Sequence, residues 1–385
     1  MKIMAFRLLF TVAFLLAVAY TVPEHSFALF DPISRPNNFN GIHILFPTEL
    51  SQAAQLVNST NGQWGYVTIP IQTGDKDIEK WQAFMDEAKR LKLIPIIRLA
   101  TEADRQNTAV WAKPTMTDIL DFANFLNSLN WPVENRYVIV YNEINRFDEW
   151  AGEPPNPKEY ADLLSYAVEV FKDRNPNFYI VMGGLDNASP NDRVRYMDNM
   201  VYLREMVEYN PEIFNKIDAF SSHSYPNPGF IAPPLKNKLE GITTYQFEYN
   251  LINSHTVNKK PVFITETGWD SKKLPESVIA SYYKTAYENF WNKDRDKIVA
   301  ITPFLLNSQG GGAFDIFSFV KDGRQTQYYT VAEKMEKTKG DPLLEAVKGI
   351  ATQKITEFST LIVPKAAFHD EIAKQLVIDI VKVFF

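Results

Sequence analysis

Eight short apolar runs, each followed by a longer stretch of helical character, restrict the fold of this sequence more than any other feature. The runs lie at residues 41–46, 64–71, 94–100, 137–143, 179–185, 219–225, 261–269 and 300–306. Alternation of strands with helices is typical of a parallel sheet in an α/β protein. Eight such units close most economically into a single (β/α)8 TIM barrel. An open doubly wound sheet is the alternative, but no G-x-G-x-x-G motif follows the first strand.

The segments between these runs repeat their apolar residues with a helical period. Two stripes show the period, namely Ile78, Trp81, Met85, Ala88, Leu91 and Tyr160, Leu163, Leu164, Ala167, Phe171. Helix start signals stand at Asp75, Thr115 and Pro157. The eighth helix is expected at residues 326–335, and each helix is expected to turn one apolar face toward the sheet.

The composition of the 385-residue chain is that of a folded protein, with 45% hydrophobic and 22% charged residues. A net charge of −6 provides no broad positive field, so we do not expect nucleic acid as a partner. The chain has no Cys. Disulfides, thiolate nucleophiles and Cys-ligated metal sites are therefore excluded.

The two ends of the chain differ from the segment between them. Lys2 and Arg7 precede an uncharged run at residues 8–22, which predicts a signal peptide at residues 1–28 and a secreted or cell-surface protein. Retention of this run as a membrane anchor is the alternative. We expect the barrel domain at residues 29–340 and a short helical extension at 341–385. The extension ends in an amphipathic segment at 371–385, and its abrupt apolar ending leaves truncation open.

Two acidic residues stand at the ends of otherwise apolar runs. Glu143 ends the fourth run and Glu266 falls at the end of the apolar part of the seventh. In a barrel the carboxyl ends of the strands meet on one face, which is where active sites lie. Glycoside hydrolysis needs a carboxyl pair of this kind, one to donate a proton and one to attack or stabilise the sugar carbon. A structural ion pair is the alternative for either residue.

The residues around both acids resemble a known group of enzymes. Asn142-Glu143 on the fourth run and Thr265-Glu266-Thr-Gly-Trp269 on the seventh resemble clan A of retaining (β/α)8 glycoside hydrolases, over roughly residues 41–335. The resemblance implies Glu143 as acid/base, Glu266 as nucleophile and Asn142 as the amide that binds the hydroxyl beside the reacting carbon. It also implies a β-type linkage, and a bulge that turns both Asn142 and Glu143 to the cleft.

Three further polar residues are expected near this pair. His223 and Tyr225 of the sixth run resemble a His-x-Tyr motif of the same clan. Tyr225 could donate a hydrogen bond to Glu266, and His223 could contact a sugar hydroxyl. Their alternatives are an aromatic lid and a histidine satisfied by a backbone carbonyl. Arg98 is the only cation within a run, and it would either lower the pKa of a nearby carboxyl or form a structural salt bridge.

Three aromatic residues are candidates for stacking against sugar rings: Trp269, Trp150 and Phe304. Many families of the clan carry a Trp on the eighth strand, and residues 300–306 have none, so Phe304 is the nearest substitute. Asp148 and Glu149 could bind flanking sugars, but solvated loop charges are the default interpretation. We interpret Gly310-Gly311-Gly312 as a loop around the cleft rather than a phosphate loop.

Other chemistries on this fold make demands that the sequence does not meet. The five His residues form no His-x-His pair, and no Lys falls within a run, so we expect neither a metal nor a Schiff base. No organic cofactor is expected. The sequence thus predicts a secreted retaining glycosidase that acts on an oligo- or polysaccharide. A catalytically inactive glycan-binding barrel is the alternative.

Overall fold

The computed structural model describes residues 29–309 and 312–345. The predicted signal peptide at 1–28 and the amphipathic segment at 371–385 lie outside these residues, as do Gly310 and Gly311. In the part of the chain that is described, no helix combines the length and apolar character needed to cross a membrane.

Eight parallel strands form one sheet in sequential order, which confirms the predicted (β/α)8 barrel. The strands are β1 Gly41–His43, β2 Gly65–Gln72, β3 Leu93–Ala100, β4 Arg136–Val140, β5 Phe178–Met182, β6 Ala219–His223, β7 Val262–Glu266 and β8 Ile298–Ile301. A parallel bridge between Asn40 and Ile301 joins the last strand to the first and closes the barrel. A small antiparallel pair, β9 Val320–Lys321 and β10 Arg324–Gln325, follows β8.

Helices follow each barrel strand on the outside. They are α1 Leu50–Val57, α2 Ile78–Arg90, α3 Met116–Ser128, α4 Pro157–Arg174, α5 Asn199–Tyr209, α6 Ile213–Lys216, α7 Thr244–Asn253, α8 Glu276–Asn289 and α9 Gln327–Lys334. Thr115 caps α3 in a capping box with Asp118, and Pro157 opens α4, as the start signals predict. The start predicted at Asp75 is wrong by two residues, because Asp77 accepts the capping hydrogen bond of α2.

The interior of the barrel is filled by aromatic and β-branched side chains. Their shared property is near-complete burial on the inward face of the strands, as in Tyr66, Ile96, Tyr137, Ile139, Tyr179, Val181 and Phe263. The ring of Tyr66 packs edge to face on Tyr137 and Phe263, and the Tyr137 ring is tilted against Phe263, with centroids 5.5–6.5 Å apart. These side chains fill the inside of the barrel below its mouth.

Six of the eight strands are shorter than predicted at their carboxyl ends. β4 ends at Val140 rather than at residue 143, and β7 ends at Glu266 rather than at residue 269. β8 is displaced toward the N-terminus and ends at Ile301. Apolar residues beyond these ends, such as Tyr141, Leu185 and Leu306, are buried without belonging to a strand, so their hydrophobicity does not signal strand.

The residues from Asp341 onward begin against the base of the barrel. The Leu343 carbonyl accepts a hydrogen bond from the Glu134 N–H, and Leu344 pairs with Val133 in an antiparallel bridge. Glu345 pairs with the buried guanidinium of Arg136. The start of the predicted extension is therefore anchored to the barrel domain.

Candidate functional site

A cleft of about 590 Å³ opens at the carboxyl ends of the strands, a volume within the range of small-molecule sites. One part of its lining is aromatic and apolar, formed by Leu45, Trp111, Phe230, Phe304, Phe314, Ile316 and Phe317. The other part is charged, formed by Arg98, Glu143, Arg146, Asp148, Glu149, Asp186 and Glu266. Both predicted acids therefore face the same cleft.

Glu266 is the last residue of β7 and is held at both carboxylate oxygens. Arg98 Nη1 donates to Oε1 at 2.9 Å, and the Tyr225 hydroxyl donates to Oε2 at 3.0 Å. The side chain is 9% exposed. These two donors fix the orientation of the carboxylate. The Tyr225 hydrogen bond is the one expected from the sequence, while Arg98 forms a salt bridge with Glu266.

Glu143 lies three residues beyond the end of β4, where the backbone leaves the strand. Tyr141 and Glu143 both adopt left-handed conformations, with φ of 66° and 38°. The predicted bulge is therefore wrong, because the strand has already ended and two left-handed residues turn the chain instead. The Glu143 N–H donates to the Gly184 carbonyl at 2.9 Å, which fixes this exit against the loop after β5.

The two carboxylates face each other across a short gap bridged by His223. Its Nδ1 lies 2.9 Å from Oε1 of Glu143 and 3.7 Å from Oε2 of Glu266. One atom from each of the three residues lies within 4.8 Å of the others. Nδ1 is within hydrogen-bond distance of Glu143, and it donates there in the tautomer that carries its hydrogen on Nδ1. The backbone-carbonyl alternative for His223 is wrong, because Nδ1 faces the Glu143 carboxyl instead. Contact between His223 and a sugar hydroxyl stays a prediction.

The ionisation of His223 reflects this position between two acids. The imidazole is 1% exposed, and burial by itself lowers its pKa. The charges of Glu266 and Glu143, with the hydrogen bond to Glu143, outweigh burial, so the pKa of His223 lies above its ordinary value. The ring therefore holds a proton more tightly than a free histidine does.

A glycine pair after β5 makes room for this arrangement. A Cβ on Gly183 would lie 2.7 Å from the carbonyl oxygens of Val140 and Tyr141. A Cβ on Gly184 would lie 2.3 Å from Cδ2 of His223. Both distances are shorter than real Cβ contacts, so the end of β4 and the imidazole approach this loop only because it has no side chains there.

A chain of hydrogen bonds extends from Glu266 across the cleft to Glu149. Arg98 Nη1 also donates to Oδ1 of Asn142 at 2.6 Å, and Nδ2 of Asn142 donates to Oε1 of Glu149 at 3.0 Å. Burial and the charge of Glu143 raise the pKa of Glu149 to about 7. The default interpretation of Glu149 as a solvated loop charge is therefore wrong.

Asp148 belongs to a second group of charges beside Glu143. Its carboxylate accepts from Nε and Nη2 of Arg146 at 3.0 and 2.7 Å, so it too is not a freely solvated charge. Arg146 Nη1 lies 3.2 Å from Asp186 and 3.5 Å from Oε2 of Glu143. Sequence reasoning missed Arg146 and Asp186, although Asp186 follows the end of β5, where the barrel rule directs attention.

His43 is a second residue that the sequence analysis did not assign to the site. It ends β1, is fully buried, and its Nε2 lies 4.0 Å from Oε1 of Glu266. Neither ring nitrogen has a hydrogen-bond partner among residues 29–309 and 312–345. Burial, Arg98 and His223 lower the pKa of His43, so its ring is neutral beside Glu266. Its place at a strand end was the available signal.

The aromatic predictions have mixed outcomes. Trp269 is 1% exposed, donates to the Ala232 carbonyl and packs on Tyr283, so it is a core residue. Trp150 is also fully buried. Neither can stack on a sugar, which contradicts the prediction. Phe304 does line the cleft, with its ring edge-on to His43 at 4.9 Å between centroids.

The geometry of Glu143, His223 and Glu266 also has the spacing of a metal site. Arg98 Nη1 lies 2.9 Å from Glu266, and Arg146 Nη1 lies 3.5 Å from Glu143. Two guanidinium charges at these distances already neutralise the carboxylates and repel a divalent cation. The donor set therefore fits a metal poorly, and the expectation that none is needed stays a prediction.

Comparison with known proteins finds similarity at the level of the fold. No family model matches this chain, and no curated protein matches it. Solved structures do match. A family 39 glycoside hydrolase from the gut symbiont Bacteroides cellulosilyticus WH2 is 14% identical with a TM-score of 0.52, and a monomeric beta-xylosidase from Caulobacter crescentus CB15 is 12% identical with a TM-score of 0.54. A glucosidase from Croceicoccus marinus is 9% identical with a TM-score of 0.56.

These matches cover most of this chain but only part of each known structure. They cover 79%, 78% and 80% of this chain in the same order, and 64%, 68% and 70% of the other chains. The match thus spans less than two thirds of the family 39 enzyme. At identities this low, the likeness establishes the (β/α)8 fold that clan A glycoside hydrolases have, with the barrel as the shared part.

Proposed function

We propose that this protein is a retaining glycoside hydrolase, with Glu143 as acid/base and Glu266 as nucleophile. One observation carries the proposal: two carboxylates on different strand ends present oxygens within 4.8 Å of each other inside an open cleft. Retaining enzymes hold their carboxyls about 5–5.5 Å apart, whereas inverting enzymes need about 6.5–9.5 Å for a water. The spacing supports retention.

The surroundings of the two acids suit a division of roles. Glu266 receives two hydrogen bonds from Arg98 and Tyr225, which hold its carboxylate in one orientation, as a nucleophile needs. Oε1 of Glu143 faces His223, so the transferable proton would sit on Oε2. A protonated His223 would also stabilise Glu143 once that proton has left.

The reaction would take two displacements. Glu266 attacks the anomeric carbon while Glu143 gives its proton to the departing glycosidic oxygen, so that a glycosyl ester forms and an alcohol leaves. Glu143 then takes a proton from water as that water attacks the anomeric carbon. The ester bond breaks, Glu266 is released as a carboxylate, and Glu143 is protonated again.

The proposal extends to the substrate and the location. An oligo- or polysaccharide with a β-type linkage is supported by the resemblance of both acidic motifs to clan A and by the aromatic lining of the cleft. Lys2, Arg7 and the uncharged run at 8–22 support secretion or display at the cell surface.

Replacing each acid in turn tests the assignment on a panel of aryl glycosides. Glu266→Ala should abolish turnover, and a small anion such as azide should restore it partly and give the inverted product. Glu143→Ala should lose about 10²–10⁴-fold on substrates with poor leaving groups and much less on activated ones. Glu153→Ala is the control, because Glu153 is an exposed residue on the same loop that pairs with Lys113.

Two outcomes would contradict the assignment. Wild-type rates for Glu266→Ala would show that Glu266 is not the nucleophile. Equal losses for Glu143→Ala on both classes of leaving group would show that Glu143 is not the acid. Saccharide binding by the wild-type protein without any turnover would instead favour the glycan-binding alternative.

A further inference from the structure

Glu149 is an acidic residue of the cleft that forms no salt bridge with a residue in the described part of the chain. Its Oε1 accepts one hydrogen bond from Asn142, and the side chain lines the cleft. Across residues 29–309 and 312–345, no Lys, Arg or His nitrogen lies within 4.0 Å of its carboxylate. The other acids of the cleft differ, because Glu266 pairs with Arg98 while Asp148 and Asp186 pair with Arg146.

The position of Glu149 relative to the reacting carbon follows from Arg98 and Asn142. A single atom, Arg98 Nη1, lies within hydrogen-bond distance of both Glu266 Oε1 and Asn142 Oδ1. A sugar carbon about to be attacked lies roughly 3–3.5 Å from the nucleophile. One ring neighbour of that carbon is the ring oxygen, which carries no substituent. The nearest substituent is therefore on the other neighbour, C2, which we place beside the Asn142 amide, whose Nδ2 donates to Glu149.

Charge distinguishes the substituents that this pair could bind. A neutral hydroxyl needs only the amide of Asn142, and it would leave the partly buried carboxylate of Glu149 without compensation for lost hydration. An ammonium group would provide that compensation. It only donates hydrogen bonds, so it suits a carboxylate, which accepts them. The cleft as described carries five carboxylates against two guanidinium groups, so its overall field attracts a cation as well.

We propose that Glu149 selects a substrate whose reacting sugar carries a protonated amino group at C2, that is, a 2-amino-2-deoxy glycoside such as a glucosamine unit. This inference rests on the proposed function, because it uses Glu266 to place the sugar. Binding of the ammonium group would favour the ionised form of Glu149, whose pKa without ligand is about 7.

Calorimetry on the Glu266→Gln protein tests the inference without turnover. The three probes are β-1,4-linked tetramers of glucosamine, N-acetylglucosamine and glucose. We expect the glucosamine tetramer to bind at least about tenfold more tightly than the other two, as a charge-assisted hydrogen bond would provide. Adding Glu149→Gln should remove this preference and change the affinity for the glucose tetramer by less than about twofold.

A matched control separates direct contact from long-range charge. Adding Glu153→Gln removes one negative charge from the same exposed loop, and it should leave the preference intact. An equal effect of Glu153→Gln would overturn the inference, as would equal weakening of all three tetramers by Glu149→Gln. Tighter binding of the glucose or acetylated tetramer, or no binding of any tetramer, would also overturn it.

Failure of the inference can be told apart from failure of the proposed function. If the wild-type protein hydrolyses neutral aryl glycosides but shows no preference for the amino sugar, the proposed function stands and the proposed selectivity is wrong. If the protein binds the glucosamine tetramer through Glu149 but cleaves no glycoside, the proposed binding site stands and the proposed hydrolase activity is wrong.

Discussion

The substitution Gly184→Ala should disable the site by displacing His223 while leaving Glu143 and Glu266, the acids of the proposed mechanism, in the sequence. The added Cβ would lie 2.3 Å from Cδ2 and 2.5 Å from Nε2 of His223, and 2.9 Å from Oγ of Ser221. The closest of these distances is about 1 Å short of ordinary van der Waals contact. His223 is 1% exposed, so the imidazole cannot move into solvent to relieve the overlap.

The size of the effect follows from where the ring would go. An overlap in a close-packed region costs about 1–3 kcal/mol, which should lower Tm by roughly 2–8 °C. A displacement of about 1 Å would break the contact of 2.9 Å between His223 and Glu143. Misplacement of that size typically costs about 10²-fold in rate. We therefore expect a folded protein whose kcat/KM on an aryl glycoside falls about 10²-fold.

Steady-state kinetics, thermal unfolding and an NMR titration of the histidines check this prediction together. The pKa of His223 should fall in the variant, because the ring loses its hydrogen bond to Glu143. Gly74→Ala is the control, because its Cβ would meet only the end of the exposed Glu102 side chain. A Gly184→Ala protein with wild-type kcat/KM and an unchanged His223 titration would refute the reasoning.

Two further predictions concern groups around the same site. Tyr225→Phe removes a hydrogen bond to an ionised carboxylate, worth about 1.5–3 kcal/mol, and should lower kcat/KM about 10–100-fold; an unchanged value would mean that Arg98 alone orients Glu266. Burial raises the pKa of Glu248 from 4.5 to about 7, so folding is favoured below pH 4.5 and this stability is lost as pH rises through about 7. Glu248→Gln should therefore be more stable than wild type at pH 8, by up to about 3 kcal/mol in urea titrations. The difference in stability should vanish near pH 4. A difference that does not depend on pH would contradict the buried-acid explanation.

The local pattern of the sequence was sufficient to predict the barrel. Each strand is an apolar run and each helix has one apolar face, and both signals arise within about 20 residues of chain. Glu143 and Glu266 could be paired for the same reason, because a parallel barrel brings every strand end to one rim. Thr115 and Pro157 fixed helix starts through local hydrogen bonding and backbone geometry.

Contacts between distant segments decided the rest. Trp150 and Trp269 have side chains of the type that stacks on sugars, but both are buried in the core. Glu149 looks like a solvated loop charge until its loop folds back onto Asn142.

The sequence therefore determined the architecture and the two acids, because periodicity and strand-end position are properties of short segments. Tertiary structure decided which side chains face the cleft and which charges are paired. Burial and pairing depend on residues far apart in the chain, such as Gly184 below His223, and no local pattern encodes them.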